Sequence, residues 1–195
     1  MTMNTKTVGR MTLVLLSIGT MLGFASCGSD INEEGAPVEL VATFKQDVLI
    51  YDYEPTGGCD VGVGTLSLRS VVKTLNADQR FLDVKLSTIR VSYKRTDGGT
   101  VVPPTYVQTI SGLIAAGGSG DVSGFLLFDP NALLQAPFVS LLPQNGGRDP
   151  ETGKPVIIIE TKIEVWGETL SGEKVSAETR FPLSFCYGCG CSIVG

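Results

Sequence analysis

Histidine is missing from this sequence altogether: none of its 195 residues is one. The absence excludes Ser-His-Asp triads, histidine-bound metal centres and imidazole pH switches. The chain also lacks the Gly-x-Ser-x-Gly motif that marks the nucleophile of many acyl-transferring hydrolases. We therefore expect a non-catalytic protein with no catalytic residue, no metal and no cofactor.

A long apolar run is missing as well. The uncharged stretch from Met11 to Ala25 follows Lys6 and Arg10, and it is shorter than the roughly 20 residues that a membrane-spanning helix needs. A basic start, a short apolar segment and small residues at its end are typical of a signal peptide. We expect residues 1–26 to be this signal peptide.

The four residues that close this segment, Phe24-Ala25-Ser26-Cys27, resemble the lipobox of bacterial lipoproteins. That family usually has Leu where this chain has Phe24. The resemblance implies cleavage before Cys27 and lipid attachment to its thiol. Residues 27–37 would then be an acylated tether. Gly28, in place of Asp, implies sorting to the outer membrane, facing the periplasm or the cell surface.

Positive charge is scarce. The formal net charge is −5, and removing residues 1–26 takes away Lys6 and Arg10 but no acid, which makes it −7. An acidic chain is poorly suited to bind polyanions. We therefore expect no nucleic-acid partner, and contact with the membrane through the lipid anchor alone.

Apolar stripes with helical spacing are absent, and alternation of apolar and polar residues takes their place. The clearest example is Ile157–Val165 followed, after a turn at Ser171-Gly172, by Val175–Phe185, which predicts an antiparallel hairpin with one buried face. The strand before Arg95 changes parity near Ser87-Thr88, which predicts a bulge. About seven such strands indicate an all-β, antiparallel β-sandwich over residues 38–195.

This hairpin resembles those of uncharacterised immunoglobulin-like or fibronectin-III-like lipoproteins of bacterial envelopes. The same resemblance extends to Arg90-Val91-Ser92-Tyr93, Asp97-Gly98-Gly99, Pro103-Pro104 and the cysteine-rich end. It implies an immunoglobulin-like fold and an envelope location, and it implies no activity.

The chain has five cysteines. If Cys27 carries lipid, four remain available for disulfides: Cys59, Cys186, Cys189 and Cys191. In an oxidising compartment an even set predicts two disulfides, with three pairings open. If all four pair, one bridge joins Cys59 to the C-terminal cluster. The alternative is a metal-binding or thiol-redox lipoprotein that uses the Cys-x-x-Cys-x-Cys cluster.

Aromatic residues are few, and three of them are candidates for a binding surface: Trp166, Tyr51 and Tyr53. Trp166 has the parity opposite to the apolar face of the hairpin, so it points away from the core or packs under a loop. We expect an interaction module whose partner in the envelope is a protein or a glycan. The acids at 47, 52, 54 and 60 are expected to be solvated rather than to bind calcium.

Overall fold

The computed structural model describes residues 35–46, 49–54, 62–73 and 79–190 of the chain. All of them belong to one compact unit, residues 31–195. The expected signal peptide, Cys27 and most of the expected tether lie outside the described residues. Ala36 is buried in the core, and the carbonyl of Pro37 accepts a hydrogen bond from Lys73, so these two residues pack with the domain.

Eight strands are described, and they confirm the all-β prediction. They are β1 (Val38–Phe44), β2 (Ile50–Asp52), β3 (Val63–Val72), β4 (Val84–Arg95), β5 (Tyr106–Ile114), β6 (Ser119–Leu126), β7 (Val156–Thr169) and β8 (Lys174–Cys186).

Helical structure in the described part of the chain is limited to short 3₁₀ turns. These are Gln79–Phe81, Pro130–Leu134, Phe138–Leu141 and Pro143–Asn145. The carboxylate of Asp129 caps the second turn by accepting the N–H of Asn131, as its position before Pro130 predicts. No helix within the described ranges is both long enough and apolar enough to cross a bilayer.

The strands form two sheets of a sandwich. Sheet A has the order β1-β3-β6, and sheet B has the order β2-β8-β7-β4-β5. If β1 and β2 are counted as two parts of one first strand, seven strands remain. The first, second and fifth lie in one sheet and the third, sixth and seventh in the other, as in immunoglobulin sandwiches. The fourth, β5, is the outer strand of sheet B.

The predicted hairpin, β7 with β8, is the centre of sheet B. Ile159 pairs with Leu183 and Ile163 with Thr179, and both isoleucines and Leu183 are fully buried. Gly172 turns the chain with φ 99°, a conformation that favours glycine. The alternation of apolar and polar residues therefore places one face of this hairpin in the core, as predicted.

The bulge predicted at Ser87-Thr88 is also present. The register of β4 against both β5 and β7 shifts between Leu86 and Thr88. The extra residue lets Leu86 and Ile89, which have opposite parity, both face the core, where both are buried.

Apolar and polar residues alternate from Val38 to Ile50 and predict one strand, but the described parts of this segment belong to two sheets. β1 pairs with β3 in sheet A, and β2 then pairs in parallel with β8 in sheet B. Near the crossing, the Phe44 ring stacks on Phe181 of β8 with centroids 3.9 Å apart. One continuous segment thus joins both sheets along this side of the sandwich, and its parallel pair is the one departure from the antiparallel prediction among the described strands.

On the opposite side, a glutamine bridges the sheets. The Gln108 side chain on β5 accepts the N–H of Leu126 at 2.9 Å and donates to the carbonyl of Leu126 at 2.7 Å. A primary amide offers the same donor and acceptor as a peptide group, so Gln108 substitutes for a neighbouring strand at the free edge of β6.

The end of β4 buries a charge. Arg95 occupies a core-facing position and is 7% exposed. Its guanidinium donates to both oxygens of Asp97 at 2.7 and 2.8 Å and to Asp149 at 2.6 Å. Asp149 is fully buried, and Glu151 lies 3.3 Å away. Arg95 therefore joins the loop after β4 to the loop before β7.

Replacing Arg95 by Met is expected to lower the free energy of unfolding by about 3–5 kcal/mol, because it leaves two carboxylates buried without a cation. The matched control is Arg180→Met on the outer face of sheet B. Arg180 forms exposed ion pairs with Glu160 and Glu178, and its loss is expected to change stability by less than about 1 kcal/mol. Urea denaturation of the two variants measures both values, and equal losses would contradict the structural role of Arg95.

Candidate functional site

Trp166 lies on the outer face of sheet B, as its parity predicts. It pairs with Thr88 of β4 and Ser176 of β8 and is half-buried. The guanidinium of Arg90 lies 4.7 Å from the centroid of its ring, within the range of a cation–π contact. Trp166 is therefore held in a fixed position on this face and partly covered by Arg90.

A groove of about 550 Å³ opens beside Trp166. The strands β4, β7 and β8 and the turn between β7 and β8 supply side chains of its lining: Lys85, Ser87, Trp166, Glu168, Leu170 and Lys174. The bulge in β4 places Ser87 at the groove, where its hydroxyl donates to the carbonyl of Trp166 at 3.2 Å. A groove of this size is within the range of small-ligand sites.

Tyr51 and Tyr53 do not join Trp166 in one surface. Both pack against the core, with their rings edge to face and 5.0 Å apart. Tyr51 also contacts Phe128 and Phe185. Burial raises the pKa of the Tyr53 hydroxyl well above its usual range, and Tyr51 adds to the shift. The two tyrosines fill the end of the sandwich beside β2.

Asp52, which we expected to be solvated, is the centre of the C-terminal loop. It is 8% exposed, and its carboxylate accepts the backbone N–H groups of Gly188 at 2.8 Å, Gly190 at 2.9 Å and Glu54 at 2.9 Å. Gly188 and Gly190 have φ of 64° and 65°, which turns successive N–H groups toward one anion. The expectation of a solvated acid is therefore wrong for Asp52.

The pKa of Asp52 reflects this arrangement. Burial would raise it, but the backbone N–H groups of Glu54, Gly190, Gly188 and Cys189 outweigh burial, so the pKa lies below the usual value. Asp52 is therefore ionised at neutral pH and stabilises the loop as a charge.

Cys186 and Cys189 form a disulfide inside this loop, with their Cα atoms 6.0 Å apart. Their partners in the sequence prediction, Cys59 and Cys191, lie outside the described residues, as does the lipid-attachment residue Cys27. If all four downstream cysteines pair, the Cys186–Cys189 bridge leaves one combination for the second disulfide, Cys59 with Cys191.

One group in the described part of the chain has the composition of a metal site. The ligand atoms of Asp52, Cys186 and Cys189 lie within 4.8 Å of one another. Both sulfurs are joined in the disulfide, however, and metals bind thiolates. Both Asp52 oxygens also accept backbone N–H groups. In this oxidised form the three residues stabilise a loop.

Ser-x-x-Lys spacing occurs twice in the described part of the chain, and the sequence analysis singled out neither pair. Ser171 and Lys174 lie at the turn between β7 and β8, where the Ser171 hydroxyl donates to the carbonyl of Phe81 and to Glu173. Ser70 and Lys73 lie at the end of β3. Ser70 is buried. Residues three apart on an extended chain point to opposite faces, so the spacing does not bring the two side chains together.

The chain matches no protein-family model and no curated protein. Among solved structures, a Northeast Structural Genomics Consortium target, SoR45, is 12% identical with a TM-score of 0.32, over 77% of this chain and 85% of that one. Spo0M, a sporulation control protein from Bacillus subtilis, is 11% identical with a TM-score of 0.29, over 77% of this chain and 49% of that one. Neither similarity bears on function.

Sequence reasoning identified Trp166 but missed the cations around it, Arg90, Lys85 and Lys174. Strand parity alone assigns Arg90 and Trp166 to outward-facing positions. Their contact depends on the register between β4 and β7, and the bulge at Leu86/Thr88 changes that register by one residue. Asp52 was missed because its partners are backbone N–H groups far along the chain, which no side-chain motif reveals.

Replacing Asp52 by Asn is expected to lower the free energy of unfolding by about 1–3 kcal/mol at neutral pH, since an amide cannot replace a carboxylate that accepts several N–H groups. Because the folded pKa is depressed, this contribution is present above the ordinary Asp pKa of about 3.9 and is lost as the pH falls through the folded pKa. Denaturant titrations at neutral and strongly acidic pH should therefore show a difference between wild type and variant that shrinks with acid.

The control for this variant is Asp121→Asn, which removes an exposed partner of Lys45 and is expected to change stability less at neutral pH. A difference between wild type and Asp52→Asn that stays constant with pH would contradict the role of the charged carboxylate.

We also expect a second disulfide between Cys59 and Cys191. It would close a loop of more than a hundred residues, worth on the order of 4–5 kcal/mol in the chain-entropy model. Peptide mapping without reduction should find these two cysteines linked and Cys186 linked to Cys189. Free thiols at 59 and 191, or a bridge from Cys59 to Cys186, would contradict this pairing.

Proposed function

We propose that the protein is a lipid-anchored lipoprotein of the cell envelope that acts as a non-catalytic interaction module. The observation that carries the proposal is the position of Cys27. It follows a basic start, an uncharged apolar segment and the small residues Ala25 and Ser26. After cleavage at this site Cys27 would be the first residue, and several acyl chains on it would bind a bilayer stably.

Two features of the folded domain support this location. Disulfides persist in oxidising compartments outside the cytoplasm, and Cys186 is bonded to Cys189. Ala36 is already buried in the core, and the sequence between Cys27 and Ala36 is polar and acidic, a composition suited to a spacer from the membrane.

The interaction surface we propose is the outer face of sheet B around Trp166. Its half-buried indole, held by Arg90, lies beside a groove of ligand size. Aromatic side chains supply large contact areas in protein and glycan recognition. The partner is a protein or a glycan of the envelope, and the acidic net charge argues against nucleic acid.

A second candidate is a thiol-redox or metal-binding role for the C-terminal cysteines. The closeness of Asp52, Cys186 and Cys189 favours it, because a reduced pair would offer two thiolates beside a carboxylate. Native protein that has free thiols at 186 and 189 and binds zinc would support this role over the structural one.

The lipid anchor is tested by expressing the full chain in a Gram-negative host that is fed an alkyne fatty acid. We expect label on the wild type and complete loss of label in Cys27→Ser, since no other cysteine lies directly after the cleavage site. Ser29→Ala, two residues further on, is the matched control and should keep the label in the membrane fraction. Equal labelling of wild type and Cys27→Ser, or recovery of the wild type in the cytosol, would refute the anchor.

A further inference from the structure

The outer face of sheet B is divided into two halves by its charges. In one half the charges neutralise one another: Lys162 lies 2.9 Å from Glu164 and 3.1 Å from Glu178, and Arg180 pairs with Glu160 and Glu178. In the other half, around Trp166, the cations have no such partners among the residues that the structure describes. Unpaired cations in an otherwise acidic protein mark this half as the one suited to an anionic ligand.

Two of these cations line the groove. Lys85 and Lys174 form no ion pair with any residue within the described ranges. Glu168 of β7 lies between the two lysines in the sheet. Its backbone is the cross-strand neighbour of Lys85 on β4 and of Lys174 on β8. Since neighbouring strands are about 4.8 Å apart, the two lysines are separated by roughly 10 Å at their backbones, with a carboxylate between them.

The third cation is preorganised by the aromatic ring. The Arg90 guanidinium lies over the Trp166 ring, 4.7 Å from its centroid, and its side chain donates no hydrogen bond to another residue in the described part of the chain. A guanidinium that contacts a ring and has no hydrogen-bond partner keeps its N–H fork available for a carboxylate, which it can bind through two parallel hydrogen bonds. Arg90 is thus a carboxylate receptor that needs little ordering when a ligand arrives.

We propose that this groove binds an acidic saccharide, a chain of pyranoses that carry carboxylates. The C–H face of a pyranose would pack against Trp166 and Leu170, a carboxylate would pair with Arg90, and Lys85 and Lys174 would bind the next acidic groups. Glu168 favours a saccharide over an acidic peptide such as polyglutamate, because its carboxylate accepts hydrogen bonds from the hydroxyls that a sugar supplies and that glutamate side chains lack. The inference rests on the proposed interaction role and names its ligand class.

The single tryptophan of the chain makes fluorescence a direct reporter of this groove. The full chain, purified in detergent, is titrated with an oligogalacturonate, with a neutral oligogalactose of the same length and with polyglutamate. We expect the uronate to cause a saturable change in tryptophan fluorescence. The neutral sugar should bind at least about tenfold more weakly than the uronate, and polyglutamate should also bind more weakly. No saturable change, equal binding of the neutral sugar, or tighter binding of polyglutamate would overturn the proposal.

Lysine variants test the site itself. Lys85→Gln and Lys174→Gln are each expected to weaken uronate binding about tenfold, and Arg90→Lys, which keeps the charge and loses the fork, should weaken it as well. Lys94→Gln is the matched control, because Lys94 lies on β4, is exposed and is outside the groove. All of these residues are exposed, and unchanged melting temperatures confirm folding. A loss in Lys94→Gln equal to that in Lys85→Gln would overturn the site.

The two proposals fail separately. A chain that is acylated at Cys27 but does not respond to uronate overturns the saccharide inference alone. A chain that binds uronate through Lys85 and Lys174 but carries no acyl group overturns the anchor alone.

Discussion

The parallel pairing of β2 with β8 is the constraint on which the rest of this structure depends. It requires the chain that leaves β1 in one sheet to enter the other sheet within a few residues, so the two sheets share one continuous segment. The same pairing places Asp52 opposite Cys186, where its carboxylate binds the backbone of the last loop. The beginning and the end of the domain are therefore held together by one short strand.

In this domain apolar contacts hold the two sheets together, and buried polar contacts determine the conformation of the loops. The core between the sheets consists almost entirely of aliphatic and aromatic side chains from alternate strand positions, which gain free energy in proportion to the area they bury. The loops are ordered by buried charge, with Arg95 between two aspartates at one place and Asp52 among backbone N–H groups at another. A buried charge must have partners in defined directions, so these contacts determine loop conformation more sharply than apolar packing would.

The parts that sequence reasoning could predict are those that depend on local pattern. Alternation identified the β7–β8 hairpin, and the parity change identified the bulge in β4. The division of residues 38–50 between two sheets was missed, because alternation is the same whichever sheet a strand joins. The burial of Asp52 and Arg95 was missed for a related reason. Each side chain is stabilised by groups more than 50 residues away, and the local sequence around Asp52 or Arg95 does not indicate those groups.

The glutamine at the free edge of β6 has a consequence for crowded conditions. An open strand edge exposes unpaired N–H and C=O groups to which another molecule can add a strand, the first step toward edge-to-edge association. Gln108 occupies the donor and acceptor of Leu126 from within the same molecule, so an incoming strand would have to break two intramolecular bonds to continue the ladder at that position. One neutral side chain thus gives this edge resistance to aggregation without a surface charge.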